Sequence, residues 1–255
     1  MQWDPQQYLS FSDHRLRPAI DLLGRVPAGE PKLVYDLGCG AGNVTALLRQ
    51  RWPAARVVGV DSSASMLDKA REAVPDGEFA LADLNAWQPE AAPDVIFTNA
   101  ALHWLPDHDA LFPQLFGQLA SGGVLAVQMP RNFAAPSHRH IHDTIMDGPW
   151  TGRLAPLWRD APVQEPGHYH RLLVGLAAQL DIFEVEYLQR LTGPDPVKEW
   201  TKGTWLKPFL DALAEGERAE FEEQYAARLR QAYPPETDGA TLFPFRRLFI
   251  VARAA

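Results

Sequence analysis

Long apolar runs are missing from this chain, and so are basic runs, paired cysteines and a basic, apolar leader. No stretch of about 18 apolar residues occurs, so no membrane-spanning helix is expected. The opening residues, Met1-Gln2-Trp3-Asp4-Pro5, do not join a basic patch to an apolar stretch, and no secretory leader is expected. The single cysteine, Cys39, cannot close an internal disulfide, which suits a reducing cytoplasm. Acidic residues outnumber basic ones, 32 to 24, for a formal charge of -8. Such a chain opposes polyphosphate backbones, so nucleic acid is not an expected partner. A small anion stays admissible if a few arginines gather in one pocket. The sequence shows no convincing Ser/His/Asp or Cys/His constellation, no internal repeat and no low-complexity tract, and it is silent on oligomeric state.

What is present reads as an ordinary globular chain of 255 residues, 46% hydrophobic and 22% charged. That length suits one α/β domain with room to bury a cofactor. Leu16, Ile20, Leu22 and Leu23 give the first 24 residues an amphipathic helical face. From residue 32, short apolar strands alternate with helical segments: Leu33 to Leu37, Arg56 to Val60, Phe79 to Leu81, Val95 to Thr98 and Val124 to Met129 are the strands. The helices between them are expected over Ala46 to Trp52, Met66 to Val74 and Leu111 to Leu119, with Ser62 and Ser63 as cap candidates for the second. This alternation implies parallel strands joined by right-handed crossovers. Residues 131 to 180, rich in His, Pro and Trp, resist assignment. Ile182 to Tyr187 alternates like a strand, residues 195 to 232 return to helical patterning, and Leu248 to Val251 supplies a last strand. One domain is expected throughout: a helical cover over residues 1–30, a cofactor-binding core over 31–130, and substrate-side helices and final strands over 131–255.

The strongest signal is Val34-Tyr35-Asp36-Leu37-Gly38-Cys39-Gly40-Ala41-Gly42-Asn43, a strand that runs into alternate glycines and opens a helix. Glycines permit positive φ and let a ligand approach the backbone, and the helix start presents free N–H groups. A dinucleotide fingerprint requires its third glycine one position later, where this chain has Asn43. Asp36, ahead of the glycines, would face a pyrophosphate badly but could accept from a ligand ammonium. These features favour an amino-acid-bearing nucleoside. Asp61 ends the second strand, where a carboxylate can accept from both ribose hydroxyls, followed by Ser62 and by Met66, suited to pack on a flat heterocycle. Asp83-Leu84 follows the third strand, within reach of an adenine amino group, and Asn99-Ala100 ends the fourth. Carboxyl ends of successive strands are where open α/β sheets bind ligands.

The glycine loop resembles the first motif of class I S-adenosylmethionine-dependent methyltransferases. Further stretches narrow the likeness: Trp3-Asp4-Pro5, Tyr8-Leu9, Arg15, Arg17-Pro18, Trp52-Pro53-Ala54-Ala55-Arg56, Asp61-Ser62-Ser63, Leu102-His103-Trp104-Leu105-Pro106-Asp107-His108, Leu125-Ala126-Val127-Gln128-Met129-Pro130 and Pro244-Phe245-Arg246-Arg247-Leu248-Phe249. Together they resemble the trans-aconitate 2-methyltransferase family, over both ends and the core, and more thinly between residues 131 and 232. The resemblance implies a Rossmann-like fold: a mostly parallel seven-stranded sheet, helices on both faces and a helical cover. It implies S-adenosylmethionine as cofactor and methyl transfer to a carboxylate of trans-aconitate, yielding a monomethyl ester and S-adenosylhomocysteine. A carboxylate is already ionised at neutral pH, so no general base is expected. Arginines should clamp the carboxylates that do not react. The candidates are Arg15, Arg17, Arg246 and Arg247, with Tyr8 and Tyr233 as hydroxyl donors and His103 and Trp104 as pocket lining. In this reading the N-terminal segment folds over the cofactor, bringing Tyr8 and Arg17 toward the methionine carboxylate or the substrate.

Other motifs carry less. His138, His140 and His142 alternate without acidic or cysteine ligands at matching spacing, so no metal site is assigned. Asn43-Val44-Thr45 overlaps the cofactor loop, and Cys39 reads as a packing residue. Asn99 is followed by Ala100-Ala101, not by the prolines of base methylases. Three alternatives stay open: a methyltransferase for another small acid or metabolite, a non-catalytic cofactor-binding module, and a nicotinamide oxidoreductase.

Overall fold

A computed structural model describes residues 16–255. The chain runs through α1 (Arg17–Leu23), β1 (Leu33–Leu37), α2 (Asn43–Arg51), β2 (Arg56–Asp61), α3 (Ala64–Ala73), β3 (Glu78–Leu81), β4 (Val95–Asn99), α4 (His108–Gly117) and β5 (Val124–Pro130). It continues with α5 (Pro136–Asp147), α6 (Thr151–Leu154), α7 (Pro166–Leu173), β6 (Gln179–Leu191), α8 (Pro196–Lys202), α9 (Lys207–Asp211), α10 (Glu215–Ala232) and β7 (Thr241–Arg253). The seven strands form one sheet in the order β3-β2-β1-β4-β5-β7-β6. The pairs β3–β2, β2–β1, β1–β4 and β4–β5 are parallel, and β7 runs antiparallel to β5. The strand order reverses at β1, which puts the end of β1 beside the topological switch point where such sheets bind ligands.

Two compact units divide the chain. The first holds residues 16–130, 162–185 and 247–255. Its strands read as nearly unbroken apolar runs because both faces are covered: Val34, Val60, Ile96, Phe97, Leu125 and Ile250 are all fully buried. The second unit holds residues 131–161 and 186–246. Its core gathers Ile141, Ile145, Trp150, Phe221, Tyr225 and Phe243.

Local chemistry explains where elements depart from the sequence expectation. Helix α4 begins at His108, ahead of Leu111, because Asp107 caps it, its Oδ1 accepting from the Ala110 amide at 3.2 Å. Ser63, not Ser62, caps α3, its Oγ accepting from the Met66 amide at 3.4 Å. The helical stretch expected over 195 to 232 divides into α8, α9 and α10, with Gly203 closing α8. β7 is 13 residues long, far beyond Leu248 to Val251, because its ladder with β5 runs from Arg247 to Arg253 and the strand starts earlier still. Residues 131 to 180 contain α5, α6 and α7.

Candidate active site

At the end of β1 the backbone turns through Gly38, Gly40 and Gly42, with φ of 73°, 54° and 83°. A Cβ on Gly38 would collide with the Cβ of Ala101, and one on Gly40 would meet nothing within 4 Å. The turn is thus tight on one side and open on the other. The Gly38 and Cys39 amides donate to the Val60 carbonyl at 2.8 and 3.1 Å, which ties the turn to β2. Asp61 fixes it further: Oδ2 accepts from the Gly40 amide and Oδ1 from the Ser63 amide, both at 2.9 Å. Each oxygen has two lone pairs, so one site per oxygen is left for a hydroxyl.

Asp36 lies behind this turn. Its side chain is 1% exposed, and Oδ2 accepts from the Thr45 hydroxyl at 2.6 Å. Burial pushes the carboxyl up to about 7, the Thr45 hydrogen bond opposing and the Asp61 charge adding to the rise. A cation brought to this carboxylate reverses the effect of burial. Around the same turn, Leu84 is buried next to Gly38, while Asn43, Ser62 and Met66 are exposed. Asp83 is exposed, and its Oδ1 already accepts from the Asn85 amide and side chain at 3.0 and 2.8 Å, which holds its carboxyl below the usual range. The Cys39 thiol is driven up by burial and by the Asp36 and Asp61 charges, as befits a packing residue.

A second group gathers where β4, β5 and β7 meet. Asn99 pairs in register with Gln128, and Pro130 with Arg247. Ala100 adopts φ 54°, and its amide donates to the Gln128 carbonyl at 2.9 Å, turning the chain into a short 3-10 turn over Leu102–Trp104. His103 is 8% exposed; burial first, then the charges of Arg247 and His108, bring its imidazole down to about 3. It is therefore uncharged at neutral pH. Arg247 is 5% exposed and reaches the Gln128 Oε1 with Nη1 at 3.4 Å. Trp104 is largely exposed, its ring beside that of His103.

The turn is held from below by His108. Its Nε2 lies 3.0 Å from the Leu102 carbonyl and its Nδ1 2.7 Å from the Tyr169 hydroxyl. A carbonyl only accepts, so Nε2 carries the proton and Tyr169 donates to Nδ1. The Tyr169 oxygen in turn accepts from the Gln164 amide at 3.2 Å.

The structure thus brings Asp36, Gly38, Gly40, Asp61 and Leu84 around one turn, and Asn99, Ala100, His103 and Arg247 around the neighbouring strand ends. Other expected clamps are placed differently. Arg17 is exposed and 4.0 Å from Asp21. Arg246 is exposed and 3.7 Å from Glu186, because it is the alternate neighbour of the buried Arg247 on β7. The Tyr233 hydroxyl accepts from the Ser137 amide at 3.1 Å, capping α5 within the second unit. Tyr8 and Arg15 lie outside the described residues. Sequence reasoning passed over Thr45, His108, Tyr169 and Gln128. His108 and Gln128 stood in stretches that carry the family likeness, and Gln128 is also the sole polar residue in the apolar strand Val124–Pro130.

The methyltransferase domain family matches residues 34–123, from within β1 to the residue before β5. Two solved structures share the fold. The YcgJ protein of Bacillus subtilis aligns with a TM-score of 0.61 at 15% identity, covering 92% of this chain and 97% of that one. Phosphoethanolamine N-methyltransferase 2 of Haemonchus contortus, solved with S-adenosyl-L-methionine, aligns with a TM-score of 0.56 at 14% identity, covering 98% of this chain but 57% of that one. The trans-aconitate 2-methyltransferase of Azoarcus sp. strain BH72 is 52% identical over 250 residues, 98% of each chain. That degree and reach of identity decide the matter, and the chain belongs to the trans-aconitate 2-methyltransferase family.

Proposed function

We propose that this protein methylates a carboxylate of trans-aconitate with S-adenosylmethionine, giving the monomethyl ester and S-adenosylhomocysteine. One observation carries the reading beyond family membership: a glycine turn built for a nucleoside stands on the same strand ends as the buried Arg247. The residues of the turn suit the cofactor. Space is open at Gly40, and the Asn99 Oδ1 makes no hydrogen bond among the described residues, leaving an acceptor for a cationic group. When bound, S-adenosylmethionine supplies a methyl group on a positively charged sulfur, ready for in-line displacement by an anion.

We assign Asp36 to the cofactor's ammonium, Asp61 to its ribose hydroxyls, and Leu84, Met66 and Asp83 to its adenine. Gly38, Gly40, Asn43, Ser62, Asn99 and Ala100 complete the cofactor side. On the substrate side Arg247 holds a carboxylate that does not react, with His103 and Trp104 beside it. No side chain needs to take a proton, because the nucleophile is already an anion. The residues act by alignment, which supplies about 7–11 kcal/mol in favourable cases. Tyr8, Arg15, Arg17, Tyr233 and Arg246 stay candidate substrate ligands on the family resemblance alone.

The acidic surface favours a small-molecule substrate over nucleic acid or an anionic membrane, and no helix among the described residues is long and apolar enough to cross a bilayer. We place the protein in the cytoplasm. Incubation with methyl-labelled cofactor and a panel of di- and tricarboxylic acids tests the assignment. Labelled ester from trans-aconitate above all others is expected. Turnover of a different acceptor with none of trans-aconitate overturns the substrate.

A further inference from the structure

Gln128 poses a question that its strand does not answer. It is fully buried, in a strand where every other buried residue is apolar. Its orientation is set by Arg247, which donates to Oε1, so the carboxamide nitrogen is what remains, and Nε2 makes no hydrogen bond among the described residues. The His103 Nδ1 is likewise buried and makes no hydrogen bond among the described residues. Gln128 Nε2 is a donor, and His103 Nδ1 donates in the tautomer that carries its proton there. Unpaired buried polar groups of this kind are disfavoured in a finished fold and call for a ligand or another explanation. Arg247 links the two: it donates to Gln128 and its charge acts on the His103 ring, while the Ala100 amide, two residues before the 3-10 turn that carries His103, donates to the Gln128 carbonyl.

We propose that His103 and Gln128 receive the carboxylate that is methylated, as uncharged hydrogen-bond donors, while arginine holds the rest of the acid. The proposal rests on the function assigned above. Its physical basis is a difference between ground state and transition state. The attacking oxygen loses negative charge as its lone pair forms the new C–O bond and the C–S bond pair passes to sulfur. A salt bridge to that oxygen would stabilise the starting anion more than the transition state and slow the reaction. Neutral donors orient the oxygen without setting a full positive charge against the anion that the reaction consumes. Burial of both donors also strips water from the oxygen they receive. Asn99, an acceptor on the strand beside Gln128, is matched to the cationic partner instead.

The test compares His103→Leu, His103→Asn and Gln128→Leu with the wild type, using whichever carboxylic acid of the panel the wild type methylates. Asparagine places an N–H near the position of the imidazole Nδ1; leucine does not. Expected are a fall in kcat of about 10- to 100-fold for both leucine variants at saturating acid, near wild-type kcat for His103→Asn, and S-adenosylhomocysteine affinity within about threefold throughout. If His103→Asn is as slow as His103→Leu, or if the loss falls on KM or cofactor affinity with kcat intact, the assignment is wrong. Thermal melting shows whether Gln128→Leu folds; if it does not, the His103 pair decides. If the wild type methylates no carboxylic acid, the function itself is wrong, and that is read before any variant is made.

Discussion

Replacing Asp36 by asparagine should make the cofactor-free protein more stable at alkaline pH and a poorer binder of its cofactor. The wild-type carboxyl, ordinarily near 3.8, stands at about 7 in the fold because burial disfavours its charge. Well below pH 3.8 the group is protonated folded or unfolded, and burial of its charge costs nothing. As pH rises from 3.8 toward 7 the unfolded chain sheds the proton while the folded one keeps it, so stability falls across that window. Above 7 the full cost is present, about 4 kcal/mol at roughly 1.4 kcal/mol per pH unit. Asparagine carries no charge at any pH and keeps an oxygen for the Thr45 hydroxyl. At pH 8 the variant should therefore gain about 2–4 kcal/mol, or roughly 5–15 °C in Tm at this chain length. At pH 4 the gain should shrink to about 0.6 kcal/mol, a Tm difference of only about 1–2 °C. Calorimetry with S-adenosylhomocysteine at pH 8 should show affinity lower by about 1–3 kcal/mol, since a charge-assisted hydrogen bond to the ammonium is gone. A Tm difference that does not change between pH 4 and pH 8 would refute the buried-charge account. Undiminished affinity would refute the ammonium assignment.

Three further substitutions probe other parts of the site. Gly38→Ala must hold a side chain at φ 73° and clash with Ala101, whereas Gly40→Ala meets open space. The first should lose more than about 2 kcal/mol of stability and the second about 1, with Gly40→Ala still weakening cofactor affinity about tenfold or more; equal melting temperatures would contradict this. Tyr169→Phe leaves the His108 Nδ1 and the Gln164 amide unpaired, at a cost of about 1–3 kcal/mol by thermal or urea unfolding. An unchanged midpoint would mean that the chain of bonds holding the His103 turn is not needed. Arg247→Ala should raise KM for the acid far more than Arg246→Ala, because only Arg247 is buried beside His103; steady-state kinetics with the reverse order would move the clamp to the exposed neighbour.

The cofactor half of the site was legible because it depends on local rules. Alternate glycines after an apolar strand demand positive φ, and all three have it. Asp61 falls at a strand end by simple counting, and its bond to Gly40 follows from the parallel register of β1 and β2. What stayed hidden depends on which face of an element is covered. Asp36 points to Thr45, nine residues on, only because α2 folds back over β1, so its burial cannot be read from the motif. Arg246 and Arg247 look equivalent in sequence, and the antiparallel ladder of β7 on β5 buries one of them and exposes the other. The segment from 131 to 180 gave no clear period because α6 spans only four residues and α5 carries His138, Arg139, His140 and His142 among its apolar positions.

The antiparallel insertion of β7 has a consequence for how the protein is made. Residues 247–253 zip onto β5 in a sheet otherwise started by the first half of the chain. During synthesis the glycine turn, β1 to β5 and Asp61 leave the ribosome well before Arg247 does. A nascent chain can assemble its nucleoside pocket while its acid pocket does not yet exist, and until β7 arrives the apolar edge of β5 stays open to mispairing. Cofactor supplied during cell-free synthesis should therefore capture the early half and raise the yield of active protein.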